Sequence, residues 1–312
     1  MRVLVTRELP GDHLDRLREK GVQVEVWPGW TLPREVLLER VEGVVGLIPT
    51  VEDRIDAQVM DRAGPGLRVI ASYSVGVDHI DLEAARARGI RVTHTPGVLA
   101  AATADLTLAL LLAVARRVVE GVEYARAGLW TAWHPKLLLG LELEGLTLGI
   151  VGMGEIGRRV AQRAEGFGMR VVYTSRTPKP LPYPFLDLET LLFTADVVSL
   201  HLPLTPETHR LLDRRRLFSM KEGAILLNTA RGGLLDTEAL VEALQGHLLG
   251  AGLDVTDPEP LPKDHPLYAL KNAVITPHIG SATTRAREGM ARKAVENLLA
   301  VLEGREPPDP VV

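Results

Sequence analysis

The chain has 312 residues, enough for two domains that each bury a core, and its 46% hydrophobic and 24% charged content is ordinary for a soluble globular protein. A net charge of only -4 offers nucleic acid no basic face. The complete absence of cysteine excludes disulfides, thiolate metal sites and cysteine nucleophiles.

The N-terminal stretch MRVLVTRELPG reads as a strand that starts at once, without the basic region, long apolar core and cleavage site of a signal peptide. A cytoplasmic protein is therefore expected. Up to residue 95 the strands VLVT, VQVEVW, VVGLIP, LRVIASYS and IRVTHT alternate with amphipathic helical stretches. Alternation of this kind predicts βαβ units and a parallel sheet covered on both faces. From Leu99 to Ala127 the pattern predicts one long helical segment. Its apolar part, Leu106 to Ala115, is too short to span a bilayer, so no membrane role is expected.

A second series follows: LTLGIVG, a helix over Glu155 to Gly168, MRVVYTS, ADVVSLHL, AILLNTA, GAGLDV and AVITPH. The last helix is predicted over Thr283 to Glu303, with a loose tail EPPDPVV after it. The fold class expected is α/β with two Rossmann-like domains: a flavodoxin-like substrate domain and a doubly wound dinucleotide-binding domain. If the last helix packs back on the first domain, that domain is discontinuous, which spacing alone leaves open. Only 3 asparagines and 4 glutamines, with 21 prolines, suggest a thermophilic source, whereas the bias of 29 arginines against 7 lysines also tracks genome composition.

The loop Gly152-Met153-Gly154-Glu155-Ile156-Gly157 follows a strand and opens a helix, as a dinucleotide site requires. The first glycine permits the tight turn, the second lets backbone approach a pyrophosphate, and the third allows close helix–strand packing. Helix N-terminal amides would then face the phosphates. At the end of the next strand an NAD site would carry an acid for the ribose 2′-hydroxyl, but this chain has Ser175, Arg176 and Thr177. A 2′-phosphate meets no repulsion there and Arg176 can pair with it, so NADP(H) is expected to be preferred, with NAD(H) possible. Arg176 as a merely solvated loop residue is the competing reading.

Reducing a 2-keto acid requires a grip on the carboxylate, a polarised carbonyl and a proton for the oxygen as hydride arrives. Arg231, just past the apolar strand AILLNTA, has the planar fork for the first two tasks. His278, held between Pro277 and Gly280 after the strand AVIT, suits the third. Glu259, after GLDV, could bond the other imidazole nitrogen, fix the tautomer and favour the protonated form. Of the other histidines, His13, His134, His209, His247 and His265 read as structural or solvated, while His79, His94 and His201 lie near predicted strand ends. None shows metal-ligand spacing, so no metal is expected.

The stretches SYSVGVDHID, HTPGVLAAATAD, GIVGMGEIGRRVA, SLHLPLTPETHRLL, LLNTARGGLLD, GLDVTDPEPLP and TPHIGSAT resemble the D-isomer-specific 2-hydroxyacid dehydrogenases over nearly the whole chain. Within that family, GLDVTDPEPLPKDHPL, YTSRTPKP and the pair Trp130 and Trp133 look most like glyoxylate/hydroxypyruvate reductases. The resemblance implies Arg231 as substrate anchor, His278 as proton donor and Glu259 as its paired acid. It implies that the Val75 and Gly76 amides hold the substrate carboxylate, with Ser281 nearby and Trp133 reaching a partner subunit's substrate site. Simple packing is the other reading of Trp133.

For the cofactor the resemblance adds Thr103, Pro203, Thr208, Thr229, Ala230, Asp254 and Gly280 to the glycine loop. It also implies a first domain completed by the C-terminal helix, giving a substrate domain at 1–98 plus 283–312 and a dinucleotide-binding domain at 99–282, and a homodimer supported by the long helix near residue 100. The expected activity is reduction of glyoxylate to glycolate and hydroxypyruvate to D-glycerate, with His278 as base in reverse. The alternatives are a D-lactate-type or broad 2-keto-acid reductase and, in another class, a nucleotide-sensing corepressor-like scaffold.

Overall fold

The computed structural model describes all 312 residues. The chain divides into two compact units, Met1–Leu99 with Ala282–Val312, and Ala100–Ser281. In the first unit the strands are β1 (Arg2–Val5), β2 (Gln23–Val26), β3 (Gly46–Ile48), β4 (Val69–Ala71) and β5 (Arg91–Thr93). They pair in the order β2-β1-β3-β4-β5, all parallel. Its helices are α1 (Asp15–Glu19), α2 (Arg34–Arg40), α3 (Ala57–Ala63), α4 (Leu82–Ala87) and, from the end of the chain, α11 (Thr284–Leu302). The core joins strand residues such as Leu4, Leu47, Ile70 and Val92 to Leu37, Val59, Met60 and Ala85 from the helices.

In the second unit α5 (Ala100–Ala115) and α6 (Val118–Arg126) precede β6 (Thr147–Val151), α7 (Glu155–Glu165), β7 (Arg170–Thr174) and α8 (Leu188–Thr194). Then come β8 (Val197–Leu200), α9 (Arg214–Ser219), β9 (Ile225–Asn228), α10 (Thr237–Leu244), β10 (Gly250–Leu253) and β11 (Ala273–Ile275). The parallel sheet runs β11-β10-β9-β8-β6-β7. Its central strands β8, β9 and β10 are buried at every residue. Helices on both faces exclude water from both sets of side chains, hence the continuous apolar runs. The order reverses at β6, and ligands of such sheets bind outside the carboxyl ends of the strands at that point.

Two expectations need correction. The long helical segment breaks at Arg117, whose φ of 52° is left-handed. The Ala115 carbonyl, which a continuing helix would have used, accepts instead from the Leu141 amide at 2.8 Å. A tertiary hydrogen bond thus replaces an intrahelical one. The tail is also not loose: Val311 N donates to the Val92 carbonyl (2.8 Å) and Val92 N donates to the Val312 carbonyl (3.1 Å). Strand β5 is an edge, and the tail satisfies its outward-facing backbone groups. No helix is long and apolar enough to cross a membrane.

Candidate active site

The glycine loop leaves β6 at the point where strand order reverses. Gly152 has a φ of +100°, and a Cβ there would lie 2.4 Å from the His201 carbonyl oxygen. A Cβ on Gly157 would lie 2.3 Å from the Gly152 oxygen. The first contact presses the loop against the segment after β8 and the second against the start of α7, and neither leaves room for a side chain. Over Gly154, the N-cap of α7, a Cβ would meet nothing within 4 Å. Open space lies over helix-terminal amides that have no intrahelical partner, and a dinucleotide's pyrophosphate fits there. Met153 is buried beneath the loop, and Glu155 engages Arg159 one turn on. Ile156 packs on the adjoining core.

At the end of β7 the Ser175 hydroxyl donates to the Thr177 carbonyl (2.7 Å), closing a small turn on which Arg176 is exposed. Thr208 Oγ donates to the Pro203 carbonyl at 2.8 Å, drawing together the loop after β8. Thr229 Oγ lies 2.9 Å from Thr107 Oγ, which also donates to the Thr103 carbonyl. Through these bonds α5 is fixed to the loop that carries Arg231.

Arg231 follows β9. The buried Asn228 at the strand's end donates to the Arg231 carbonyl (2.8 Å) and accepts from the Ala230 amide (3.1 Å). Its main-chain carbonyl also accepts from Asp254 N at 2.9 Å. Asn228 thus shapes the Arg231 turn and joins it to the end of β10, a role that sequence reasoning missed. Its signal was one amide closing an otherwise apolar strand, ILLN.

His278 has a left-handed backbone, with φ of 53°. For a residue other than glycine this conformation must be held by its surroundings. The hold comes from Asp254, which is 1% exposed. Its carboxylate accepts from Thr276 Oγ (2.6 Å), Ile279 N (2.8 Å) and Gly280 N (2.7 Å), while its carbonyl accepts from His278 N (2.9 Å). The loop is therefore wrapped around one buried carboxylate, and the imidazole projects from it. Gly280 approaches both Asp254 and Thr103, and Ser281 is half-buried at the end of this unit.

Glu259 reaches His278 from the segment after β10. Its Oε1 lies 2.5 Å from His278 Nδ1, and its Oε2 accepts from Thr256 N at 3.2 Å. Burial raises the Glu259 carboxyl, but the hydrogen bond and charge of His278, the Thr256 amide and the Arg231 charge outweigh it. The net result holds Glu259 below the ordinary carboxylate value. A carboxylate that binds Nδ1–H leaves Nε2 as the working nitrogen of the ring. Arg231, Glu259 and His278 are thus gathered at the carboxyl ends of β9, β10 and β11.

His201, behind the glycine loop, is different in kind. The residue keeps some exposure, but its imidazole is enclosed by protein, and desolvation pushes its pKa down to about 3. Its Nε2 lies 2.8 Å from Ser199 Oγ, which marks it as a neutral structural histidine. Val75 and Gly76 belong to the first unit, in the loop after β4. Trp130 and Trp133 are 69% and 82% exposed, so neither is core in a single chain. No three or more His, Cys, Asp or Glu residues are grouped as metal ligands would be.

Residues 108–280 match the family described as D-isomer specific 2-hydroxyacid dehydrogenase, NAD binding domain. The chain is 48% identical to a glyoxylate reductase of Thermococcus litoralis, over 99% of this chain and 96% of that one. A solved structure of a protein from Thermus thermophilus superposes with a TM-score of 0.97 at 79% identity, covering 100% of both chains. An NADPH-dependent glyoxylate/hydroxypyruvate reductase from Sinorhizobium meliloti, solved with NADP and malonate, does so at 0.89 and 32% identity, over 100% of this chain and 96% of that one. With a match over more than half its length and near-full-length relatives of this kind, the chain belongs to the D-isomer-specific 2-hydroxyacid dehydrogenases.

Proposed function

We propose that this oxidoreductase reduces glyoxylate to glycolate and hydroxypyruvate to D-glycerate, with NADPH preferred over NADH. The observation that carries the reading is the Glu259–His278 pair at 2.5 Å, on a loop clamped by Asp254 and joined through Asn228 to the Arg231 turn. The nicotinamide cofactor, when bound, supplies the hydride that reaches the keto carbon.

The chain's own groups do the rest. Arg231 anchors the substrate and stabilises the negative charge that develops on the keto oxygen. His278 delivers the proton from Nε2 to that oxygen, while Glu259 holds Nδ1–H and keeps the ring in register. The Val75 and Gly76 amides take the substrate carboxylate. The glycine loop holds the pyrophosphate of the dinucleotide, and Thr103, Pro203, Thr208, Thr229, Ala230, Asp254 and Gly280 line the rest of its site. Arg176 pairs with a 2′-phosphate, which no acid at Ser175 or Thr177 repels.

Homologues named as glyoxylate reductases support the substrate, and the NADP-bound relative supports the cofactor choice. A homodimer is part of the same reading. Val118, Val119, Val122, Leu129, Trp130, Leu139 and Leu141 are all exposed within one short stretch. Three of them, Val119, Leu139 and Leu141, line a cavity of about 350 Å³ together with Val114 and Leu249. A patch of this kind marks an interaction surface. Trp133, in the same stretch, then serves the partner subunit's substrate site.

The test is His278→Gln. The variant is expected to lose about 10³-fold in keto-acid-dependent NADPH oxidation, within the range that general acid catalysis contributes. It should bind NADPH as the wild type does. Turnover within a few-fold of wild type would remove His278 as proton donor.

A further inference from the structure

The loop after β4 has a hydrogen-bond arrangement that accounts for where its amides point. The Ser74 carbonyl accepts from the Thr95 amide at 2.8 Å. The Val75 carbonyl lies 3.0 Å from Nδ1 of His94. The Gly76 carbonyl accepts from the Ser74 hydroxyl at 2.5 Å, and that hydroxyl lies 2.6 Å from Ser72 Oγ. Ser72 Oγ in turn lies 3.1 Å from His79 Nε2.

A peptide unit is planar and trans, so its C=O and the N–H of the next residue point in opposite directions. Tying the Ser74 carbonyl to Thr95 therefore turns the Val75 N–H away from the segment after β5. Tying the Val75 carbonyl to His94 turns the Gly76 N–H the same way. Neither amide donates a hydrogen bond within the chain. Two parallel, unpaired N–H groups are what a carboxylate needs, and only one of the two anchors is a side chain.

That side chain is itself fixed. The His94 amide donates to the Asp309 carbonyl (3.2 Å), and the His94 carbonyl accepts from Asn297 Nδ2 (3.2 Å). Asn297 is fully buried, donates also to the Asp309 carboxylate and accepts from the Asp309 amide. Lys293 pairs with Asp309 at 2.8 Å. The terminal segment and α11 thus hold His94 from behind while its Nδ1 faces the Val75 carbonyl.

We infer that His94 is a positioning residue for substrate binding, its Nδ1–H holding the Val75–Gly76 peptide so that the Gly76 amide faces the carboxylate of the 2-keto acid. This inference rests on the proposed assignment of the carboxylate to Val75 and Gly76. Nδ1 donates in the same way from the neutral Nδ1–H tautomer and from the imidazolium. The effect therefore lies in geometry rather than in charge. The Nδ2 of an asparagine occupies nearly the position of a histidine Nδ1, so Asn can replace the donor where Ala cannot.

The experiment compares wild type, His94→Ala and His94→Asn in the full-length protein. It uses steady-state kinetics with glyoxylate and NADPH, together with calorimetric titration of oxamate, an unreactive 2-keto-acid mimic, into the NADPH-loaded protein. His94→Ala is expected to raise the glyoxylate KM and the oxamate Kd about tenfold, the factor that corresponds to roughly 1.4 kcal/mol. Its kcat should stay within about threefold and its NADPH KM should not change, and His94→Asn should recover most of the loss.

An unchanged oxamate Kd in His94→Ala, with the wild type active on glyoxylate, overturns the inference and leaves the proposed function standing. The inference also falls if Asn rescues no better than Ala, or if the cofactor KM rises in parallel, since either points to general loosening. A wild type that neither turns over 2-keto acids nor binds oxamate overturns the proposed function, and the inference with it.

Discussion

His278 pairs a backbone conformation that most residues avoid with a side chain that the chemistry requires. Its φ of 53° is maintained by hydrogen bonds to Asp254, so the strain is borne by a buried carboxylate and not by the imidazole. Glu259 then fixes the ring. Replacing it by Gln keeps a hydrogen-bond acceptor but removes the charge, and we expect kcat to fall about 100-fold, at the low end of what acid–base groups contribute. The pH dependence follows from the direction of its shift. Because the folded state holds Glu259 below its ordinary 4.5, the carboxylate contributes stability at neutral pH and loses it as pH falls through the lowered value. The stability gap between wild type and Glu259→Gln, read from urea melts, should shrink as pH falls below 4.5. At the cofactor end, Arg176→Ala should raise the KM for NADPH about tenfold or more, and that for NADH far less. Equal effects on both would remove the 2′-phosphate contact.

At the scale of elements, the inner strands of both sheets were legible because burial on both faces writes them as apolar runs, while the edge strand β2, QVEV, shows alternation instead. The glycine loop was legible because close backbone approach restricts its residue types. What stayed hidden depends on partners distant in sequence. At the break between α5 and α6 the Leu141 amide, distant in sequence, takes the Ala115 carbonyl. Nothing within the run from Leu99 to Ala127 announces it. The tail EPPDPVV is polar and proline-rich, yet it pairs with β5 and buries Pro307. Asn228 and Asp254 reveal their bonds only when β9, β10 and β11 lie side by side. The tail makes a stability prediction. The side chains of Lys293 and Asp309 are only 22% and 12% exposed, so Asp309→Ala leaves a half-buried ammonium without its partner. A loss of about 2 kcal/mol is expected by denaturant melting, below the figure for a fully buried pair. A change under about 0.5 kcal/mol would mean that the tail's backbone pairing alone secures it.

For the whole molecule, two parallel-sheet units and the family's site motifs define an oxidoreductase, and the exposed apolar stretch from Val118 to Leu141 calls for a cover. Light scattering should give a mass near twice the 34.0 kDa of the chain. Val122→Asp, which places a charge on that face, should shift it toward the monomer. A wild-type monomer at micromolar concentration would refute the homodimer. The measurement that tests the central claim most directly is oxidation of NADPH and NADH by the purified protein with glyoxylate, hydroxypyruvate and pyruvate. Rapid turnover of glyoxylate and hydroxypyruvate with NADPH, slower with NADH and slower still with pyruvate, is the predicted result. Tight nucleotide binding without turnover of any of the three acids would contradict it.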